Sequence, residues 1–162
     1  MRFRRIWERR DEHIQVSVGS VFYTYTMGDA RSANIDRMVA NLAAFIRERE
    51  GSVGYLFHVV AGAMPPSTED RARTTEMFNA HAAKLSGVAV VIEATGSSGT
   101  LLRSAVTMVF DMTRREFETR TFEDVVAASA WLAPKQAMSA SDIVTTGAEA
   151  RAALVEGREP RW

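Results

Sequence analysis

One stretch, Val88 to Phe122, limits most strongly what this chain can fold into. It opens with the apolar, β-branched run VAVVIEA, which is typical of a strand buried on both faces. The turn-like TGSSGT and the apolar segment Leu101–Met112 follow, and then the alternating FETRTF at Phe117–Phe122. A strand, a helix and a second strand within this length form a βαβ unit. The stretch therefore predicts a parallel sheet with a helix between its strands.

The composition is typical of a folded globular chain of one domain, with 162 residues of which 46% are hydrophobic. Twenty basic and twenty acidic side chains cancel, so the basic surplus of a general nucleic-acid surface is missing. The absence of cysteine excludes disulfides, thiolate metal sites and a cysteine nucleophile. Since no apolar run approaches the length of a membrane span, we expect a cytoplasmic protein with no integral membrane segment.

Residues 1–12 are rich in arginine and carry no apolar run of the signal-peptide type. We interpret them as an N-terminal arm or flanking strand that packs its aromatic side chains on the domain while the arginines stay solvated. The alternative is an arm that binds nucleic acid or anionic lipid. The acidic residues within the segment favour the first interpretation.

Residues 13–133 alternate between strand and helix patterns. His13–Val18 alternates apolar and polar residues, with Ile14, Val16 and Val18 on one face. This segment and Val21–Met27 flank a Gly-Ser pair, which predicts a β-hairpin. A helical period then continues to about Glu48. The near-continuous apolar run Val53–Gly62 predicts a central strand with both faces covered.

The second half of the chain begins with a Pro-rich loop and Ser67, a suitable N-cap for a helix. That helix is expected to continue to about Leu85 and to end at Gly87. After the βαβ unit, Glu123–Ala133 predicts one more helix. Residues 134–162 form an appended extension of one or two helices, which docks on the domain or on a neighbouring subunit. Its weak apolar stripe consists of Ile143, Val144, Ala148, Leu154 and Val155.

The predicted fold is therefore α/β, with a mixed sheet and the element order β-β-α-β-α-β-α-β-α followed by the C-terminal helical extension. The sheet should contain one hairpin and right-handed crossovers. The helices should cover one face mainly, or both faces unevenly.

In this order of elements the chain resembles the SpoIIAA-like (STAS) domains, and among them small bacterial STAS/SEC14-type proteins. The resemblance covers roughly Ile14 to Leu132. Its matching parts are the hairpin leading into VFYTYTMGDARSANIDRMVANL, the strand VAVVIEATG and the end LLRSAVTMVFDMTRREFETRTFEDVVAASAWL.

The resemblance implies a SpoIIAA-like fold and a non-catalytic module that binds partner proteins, in some relatives under the control of phosphorylation. The phospho-acceptor of those relatives lies in an Asp-Ser-Ser-Gly type turn at the start of a helix. The equivalent turn here is Ala63–Asp70, in which Ser67 and Thr68 are the candidates for phosphorylation. The motif itself is not present there.

The turn TGSSGT looks more like that motif, but it follows the next strand along and lacks the aspartate. Because it precedes a helix, its backbone amides are a candidate anion-binding site. The residues of this candidate site are Gly96, Ser97, Ser98 and Gly99. The alternative is a plain tight turn in which Ser98 or Thr100 caps the helix. The spacing is neither that of a P-loop nor that of a dinucleotide fingerprint.

The three histidines, His13, His58 and His81, are far apart and lack metal-ligand spacing, so we expect no metal site and no cofactor. His58 lies in a strand of the buried type and is interpreted as a core side chain whose hydrogen bonds are satisfied. No nucleophile motif of the G-x-S-x-G type is present, and we expect no catalytic residues.

Glu93 is unusual, because it is a carboxylate near the carboxyl end of a predicted central strand, where open α/β sheets bind ligands. A buried Glu93 could act as an acid or a base. The alternative, which we prefer, is an ion pair with Arg103, one turn into the next helix.

The helix Leu101–Met112 is apolar nearly all round, which predicts burial on two sides. One side should pack on the sheet, and the other needs the C-terminal extension, a second subunit, a partner protein or a lipid-like ligand as its cover. The predicted interface residues are Leu101, Leu102, Val106, Met108, Val109, Phe110 and Met112.

Three hypotheses follow for function. The first is a regulatory or scaffolding module that works by protein–protein association, including self-association, through this helix. The second is a SEC14-like domain in which the same helix lines a pocket for an apolar small molecule or lipid. The third is an enzyme built on Glu93, Arg103 and the TGSSGT turn.

Overall fold

The computed structural model describes residues 3–28, 32–60, 62–114 and 116–162. Within these ranges six strands and five α-helices form an α/β fold with a mixed sheet, which confirms the predicted class. The strands are β1 (Arg4–Arg9), β2 (His13–Val18), β3 (Val21–Thr26), β4 (Val53–Val59), β5 (Leu85–Ile92) and β6 (Glu118–Phe122). The helices are α1 (Ser32–Arg47), α2 (Thr68–Ala80), α3 (Gly96–Met112), α4 (Val125–Leu132) and α5 (Ala140–Val155).

The six strands lie in the sheet in the same order as in the chain. β1, β2 and β3 form an antiparallel meander, and β3 to β6 run parallel to one another. The predicted two-residue hairpin is confirmed, since Val18 pairs with Val21 across the Gly-Ser turn. Between β2 and α4 the elements follow one another as predicted.

Three helices cover one face of the sheet and two cover the other. Each parallel connection moves one strand in the same direction, so crossovers of a single hand place α1, α2 and α3 side by side on one face. The chain then crosses the edge at β6, and α4 and α5 pack on the other face. The uneven coverage expected from the sequence is confirmed.

The segment before the hairpin forms an edge strand, β1, which pairs with β2 and is interrupted by a bulge between Ile6 and Glu8. Trp7 packs edge-on against Phe22 and Phe45 and anchors this strand to the core. Residues 1 and 2 of the predicted arm lie outside the described residues.

The C-terminal extension folds back as one helix, α5, which lies against β2 and β3. The apolar stripe predicted for it is only partly right: Ile143 is fully buried, but Val155 is 53% exposed. Small residues such as Gly147 and Ala150 fill the buried side instead, because they allow α5 to approach the sheet closely.

The predicted end of α2 near Leu85 is wrong. The helix ends at Ala80, where the backbone N–H of His81 donates to the carbonyls of Met77 and Phe78. Leu85 begins β5, and Gly87 lies inside that strand with the side chains of α4 packed over it. A 3-10 turn at Ala82–Lys84 fills the space between α2 and β5, so the helical pattern of the sequence continues beyond the end of the α-helix, which explains the error.

None of the helices in the described ranges combines the length and the apolar character required to cross a bilayer.

Candidate functional site

An apolar cavity of about 100 Å³ lies between the sheet and the three helices α1 to α3. Residues from β3, β4, β5 and all three helices line it. The lining is mostly aliphatic and also contains methionine and aromatic side chains, namely Met38, Met64, Met77, Tyr55, Phe57, Phe78 and Phe110. Apolar cavities of this kind stay free of water and can bind small apolar molecules.

The cavity reaches the surface at the carboxyl ends of the parallel strands. Gly28, Met64 and Pro66 line it there, in the loops that follow β3 and β4, and the side chain of Met64 is 58% exposed. Open α/β sheets bind ligands at this end, in a crevice where the strand order reverses. Since the order of β3 to β6 does not reverse, the cavity under the helices replaces that crevice here.

A chain of buried polar side chains lies beside the cavity, under α1. The Tyr55 hydroxyl donates to Thr24 Oγ1 at 3.2 Å, and Gln15 Nε2 donates to the same oxygen at 3.1 Å. Asn41 Nδ2 donates to Gln15 Oε1 at 2.8 Å and to Glu8 Oε2 at 3.2 Å. The network thus connects a residue of the cavity wall with the carboxylate of Glu8 on β1.

The Glu8 end of this network is charged. Burial raises the pKa of Glu8, but hydrogen bonds and charges from Arg10 and His13 lower it by more, so the net pKa lies below the ordinary value. His13 Nε2 is 3.2 Å from Glu8 Oε2, and the His13 side chain is 1% exposed. Glu8 therefore links the edge strand β1 to the network of buried polar side chains.

A second candidate site lies on the opposite face of the sheet, where Tyr23, His58 and Glu93 are joined in a row. The Tyr23 hydroxyl is 2.6 Å from His58 Nδ1, and His58 Nε2 is 2.7 Å from Glu93 Oε1. Tyr23 is fully buried and the His58 side chain is 5% exposed, whereas the Glu93 side chain is 37% exposed. We call these three residues the relay.

One proton arrangement satisfies every group in the relay. A neutral His58 that carries its proton on Nε2 donates to the Glu93 carboxylate and accepts at Nδ1 from the Tyr23 hydroxyl. Burial raises the pKa of Tyr23, which keeps the phenol protonated and able to donate. Both ring nitrogens of His58 are therefore occupied, and neither is free to act as a base.

Burial lowers the pKa of His58 below its ordinary value of 6.5, and the positive charge of Arg151 acts in the same direction. The hydrogen bond and the charge of Glu93 raise the pKa, but by less. The imidazole is therefore neutral at pH 7. This agrees with the prediction of His58 as a core side chain whose hydrogen bonds are satisfied.

Acidification from about pH 7 to about pH 5 is expected to lower the free energy of unfolding. A histidine with a depressed pKa in the folded state binds fewer protons there than in the unfolded chain, so its stabilising contribution is complete above about 6.5 and declines below that pH. Urea denaturation at a series of pH values measures the trend, and the imidazole NMR signals of His58 report its own titration.

His81 must be separated from this effect, since burial together with Arg47 and Lys84 also lowers its pKa. The variant His81→Gln removes its contribution while leaving the relay intact. If the pH dependence disappeared in that variant, the assignment to His58 would be wrong.

The predicted ion pair between Glu93 and Arg103 is wrong. Glu93 pairs with His58 on the neighbouring strand, and Arg103 donates from Nη2 to the backbone oxygen of Ala94 at 3.3 Å. The parallel register explains the outcome, because His58 lies opposite Val91, and Glu93 is two residues further along on the same side of the sheet.

The predicted turn of Gly96, Ser97, Ser98 and Gly99 is instead the first turn of α3, with Thr95 at the N-cap position. The expected caps Ser98 and Thr100 thus lie inside the helix. Gly99 is required there, since a Cβ at this position would lie 2.2 Å from the oxygen of Ala94. The three residues before it are exposed at the helix N-terminus, and their role in binding an anion stays a prediction.

Ser67 caps α2 as predicted. Its Oγ accepts from the backbone N–H of Asp70 at 3.1 Å and donates to Asp70 Oδ2 at 2.7 Å. Thr68 Oγ1 accepts from Arg71 Nη2 at 3.0 Å. Both residues are exposed, and their phosphorylation stays a prediction.

The seven predicted interface residues of α3 separate into three groups. Leu102 and Val109 are buried against the sheet. Val106 and Phe110 are half-buried and line the cavity. The remaining three are more than half exposed: Leu101 at 59%, Met108 at 51% and Met112 at 58%.

The extension does not cover this exposed row. α5 packs on β2 and β3 across the sheet from α3, so the two helices lie on opposite faces. Of the possible partners for the exposed side of α3, the C-terminal extension is therefore excluded. We call Leu101, Met108 and Met112 the α3 stripe.

Sequence reasoning missed the relay, although a signal for it was present. His58 and Glu93 lie toward the carboxyl ends of two successive predicted strands, and Tyr23 lies on the strand before them; neighbouring parallel strands bring such positions together. The cavity had no comparable signal, because its volume depends on how far the helices stand from the sheet.

Across the described ranges, no group of three or more His, Asp or Glu side chains is arranged to hold a metal ion. The polar groups that do cluster are joined in the relay and in the Glu8 network. No protein-family model, curated protein or solved structure matches this chain.

Proposed function

We propose that this protein is a non-catalytic binding module that holds a small apolar molecule in the cavity beneath α1, α2 and α3. The observation that carries the proposal is the cavity itself, with its apolar lining, which includes methionines and aromatic rings, and its opening at the carboxyl ends of the strands. Methionine side chains adapt to ligands of different shape. The resemblance to SEC14-type proteins supports the same class of ligand.

The size of the cavity indicates the size of the ligand. An engineered cavity of about 150 Å³ in another protein binds benzene, and this one measures about 100 Å³. The ligand class is therefore a single aromatic ring or a short branched chain, accommodated with small movements of the methionines. A bulk lipid would require the exposed Met64 and its loop to open further.

A binding role is favoured over an enzymatic one by the position of the ionisable groups. The relay lies on the α4 and α5 face, so the sheet separates it from a molecule in the cavity. The enzyme hypothesis requires a buried Glu93 that acts as an acid or a base, but the Glu93 side chain is 37% exposed and is hydrogen-bonded to His58, and Arg103 donates to the backbone of Ala94. The polar atoms of the cavity wall belong to neutral side chains such as Thr26 and Tyr55.

The variant Ala105→Leu tests the cavity, because Ala105 lines it and is 4% exposed. We expect thermal stabilisation by benzene in the wild-type protein, rising with concentration as binding to the folded state requires. We expect Ala105→Leu to lose this response, while the stability of the ligand-free protein stays level or rises by about 0.5–2 kcal/mol. Differential scanning calorimetry measures both.

The matched control is Ala130→Leu on the exposed side of α4, which should respond to benzene as the wild type does. A benzene response that survives in Ala105→Leu would contradict the proposed site. Native mass spectrometry on gently purified protein adds an independent test, since a carried apolar ligand appears as added mass.

A second candidate function is protein–protein association through α3, as part of a regulatory or scaffolding role. The observation that favours it is the α3 stripe, a row of three large apolar side chains that the extension does not cover. The resemblance to SpoIIAA-like domains, which act on partner proteins, supports the same role. The native mass spectrum tests this as well, since a bare monomer would contradict self-association.

A further inference from the structure

We infer that the partner of the α3 stripe is a second copy of this chain, which joins along the outer edge of β6 and extends the sheet across a two-fold axis. The inference rests on the second candidate function, association through α3, and names its partner. It follows from the position of the stripe, the free edge of β6 and the charges along that edge.

The α3 stripe faces outward over β6. Successive residues of a helix are rotated by about 100°, so Leu101, Met108 and Met112 form one row, and Val106 and Phe110 point to the opposite flank. That flank lines the cavity together with residues of α2. Because α3 is the outermost of the three helices on its face and packs on β5, its other flank lies over the edge strand β6.

β6 is the last strand of the sheet and pairs with β5 on its inner side, while no described residue pairs with its outer side. Its register with β5 has no bulge, and its sequence ETRTF contains no proline. The opposite edge strand, β1, carries a bulge and several arginines, which are features that prevent edge pairing. Of the two edges, β6 is the one suited to accept another strand.

The charges of β6 are self-complementary in one antiparallel register. Glu118 and Arg120 point to the α4 face, and Thr119 points to the α3 face, as the pairing with β5 places them. When Thr119 lies opposite Thr119 of the second copy, each Glu118 lies opposite an Arg120, which gives two ion pairs and a threonine pair. The register shifted by one residue on each strand would oppose Arg120 to itself, and like charges disfavour it.

The spacing explains why the stripe consists of long side chains. With strands about 4.8 Å apart, the β5 strands of the two copies would be about 14 Å apart. Helices in direct contact lie about 8–10 Å apart. The two copies of α3, each packed over its own β5, would therefore be separated by a wider gap. Leu101, Met108 and Met112 from both copies are long enough to fill it.

Charge reversal tests the register. We expect wild-type protein to dimerise in sedimentation equilibrium, and Glu118→Arg and Arg120→Glu each to raise the dissociation constant of the dimer at least about tenfold. A mixture of the two single variants should recover dimers, because each arginine then meets a glutamate. The double variant E118R/R120E should dimerise more tightly than either single variant, because it restores both ion pairs across the edge, although it loses the bond of Glu118 to Lys135 in its own chain.

The outcomes separate this inference from the function on which it rests. Wild-type protein that stays monomeric at every concentration would overturn this inference and self-association through α3, but not association of α3 with a different protein. Dimers that Met108→Asp disrupts but that neither charge reversal weakens would keep association through α3 and overturn the pairing of β6. Circular dichroism of each variant confirms that loss of dimer is not loss of fold, and a mixture that fails to recover dimers would also overturn the register.

Discussion

Replacing Gly147 with valine is expected to lower the free energy of unfolding by about 3 kcal/mol, at the upper end of the usual cost of overpacking. Gly147 lies in the middle of α5, where a Cβ would be 2.7 Å from the Tyr23 hydroxyl oxygen and 2.8 Å from Cζ. Tyr23 cannot move away cheaply, since its ring is fully buried and its hydroxyl is bonded to His58. The helix would have to lift from β2 and β3 instead.

Urea denaturation measures the loss of unfolding free energy in Gly147→Val. The matched control is Ala148→Val, the next residue of the same helix, whose side chain is exposed. It places valine in the same helix without the contact, so its cost is limited to the lower helix propensity of valine relative to alanine, about 0.5 kcal/mol. Gly147→Val does not lower helix propensity, so a larger loss there reflects the contact with Tyr23. Equal losses in the two variants would show that the close approach of α5 to Tyr23 is not what limits position 147.

The strands and the central helices were predictable from the sequence because their signals are local. Continuous apolar runs identified β4 and β5, and strict alternation identified β2, with Ile14, Val16 and Val18 on one face as predicted. The polar residues between them are buried too, which alternation did not indicate, because α1 covers them and Asn41 supplies hydrogen bonds. The alternation of apolar and polar residues therefore predicted the strand and one buried face, but not the burial of the second face.

The errors at element ends have a common cause. Gly87 and Gly99 were both interpreted as signs of a stop or a turn, yet both lie inside regular elements where another part of the chain approaches closely. A Cβ on Gly87 would meet side chains of α4, and one on Gly99 would meet the backbone of Ala94. Sequence alone does not separate a glycine needed for its backbone freedom from one needed for its small size.

The candidate sites were less predictable than the fold, because they depend on contacts between distant segments. Glu93 was singled out correctly as unusual, but its partner depends on the register of β4 against β5, which pairs His58 with Val91. A candidate within the same βαβ unit, Arg103, was the nearest choice in sequence and was wrong. The α3 stripe was predicted as part of a larger set because helical spacing alone shows apolar residues on several sides of α3.

Removing the hydroxyl of Tyr23 tests the relay directly, and the variant Tyr23→Phe is expected to lose about 1–3 kcal/mol of unfolding free energy at neutral pH. The cost arises at His58, whose Nδ1 would remain buried without a donor. The matched control is Tyr25→Phe, on the same strand with its ring against His58 but its hydroxyl outside the relay. We expect Tyr25→Phe to lose less unfolding free energy than Tyr23→Phe.

The dependence on pH distinguishes a relay from simple packing. The Tyr23 hydroxyl donates to Nδ1 and so stabilises the neutral imidazole; without it, the pKa of His58 should rise toward its ordinary value of 6.5. The folded variant then takes up its proton at higher pH than the wild type does, and the difference in stability between the two proteins should narrow on acidification. Urea denaturation measures the difference, and NMR of the His58 ring measures the pKa. A pKa that fell in Tyr23→Phe would mean that the proton lies on Nδ1 and that Tyr23 is the acceptor.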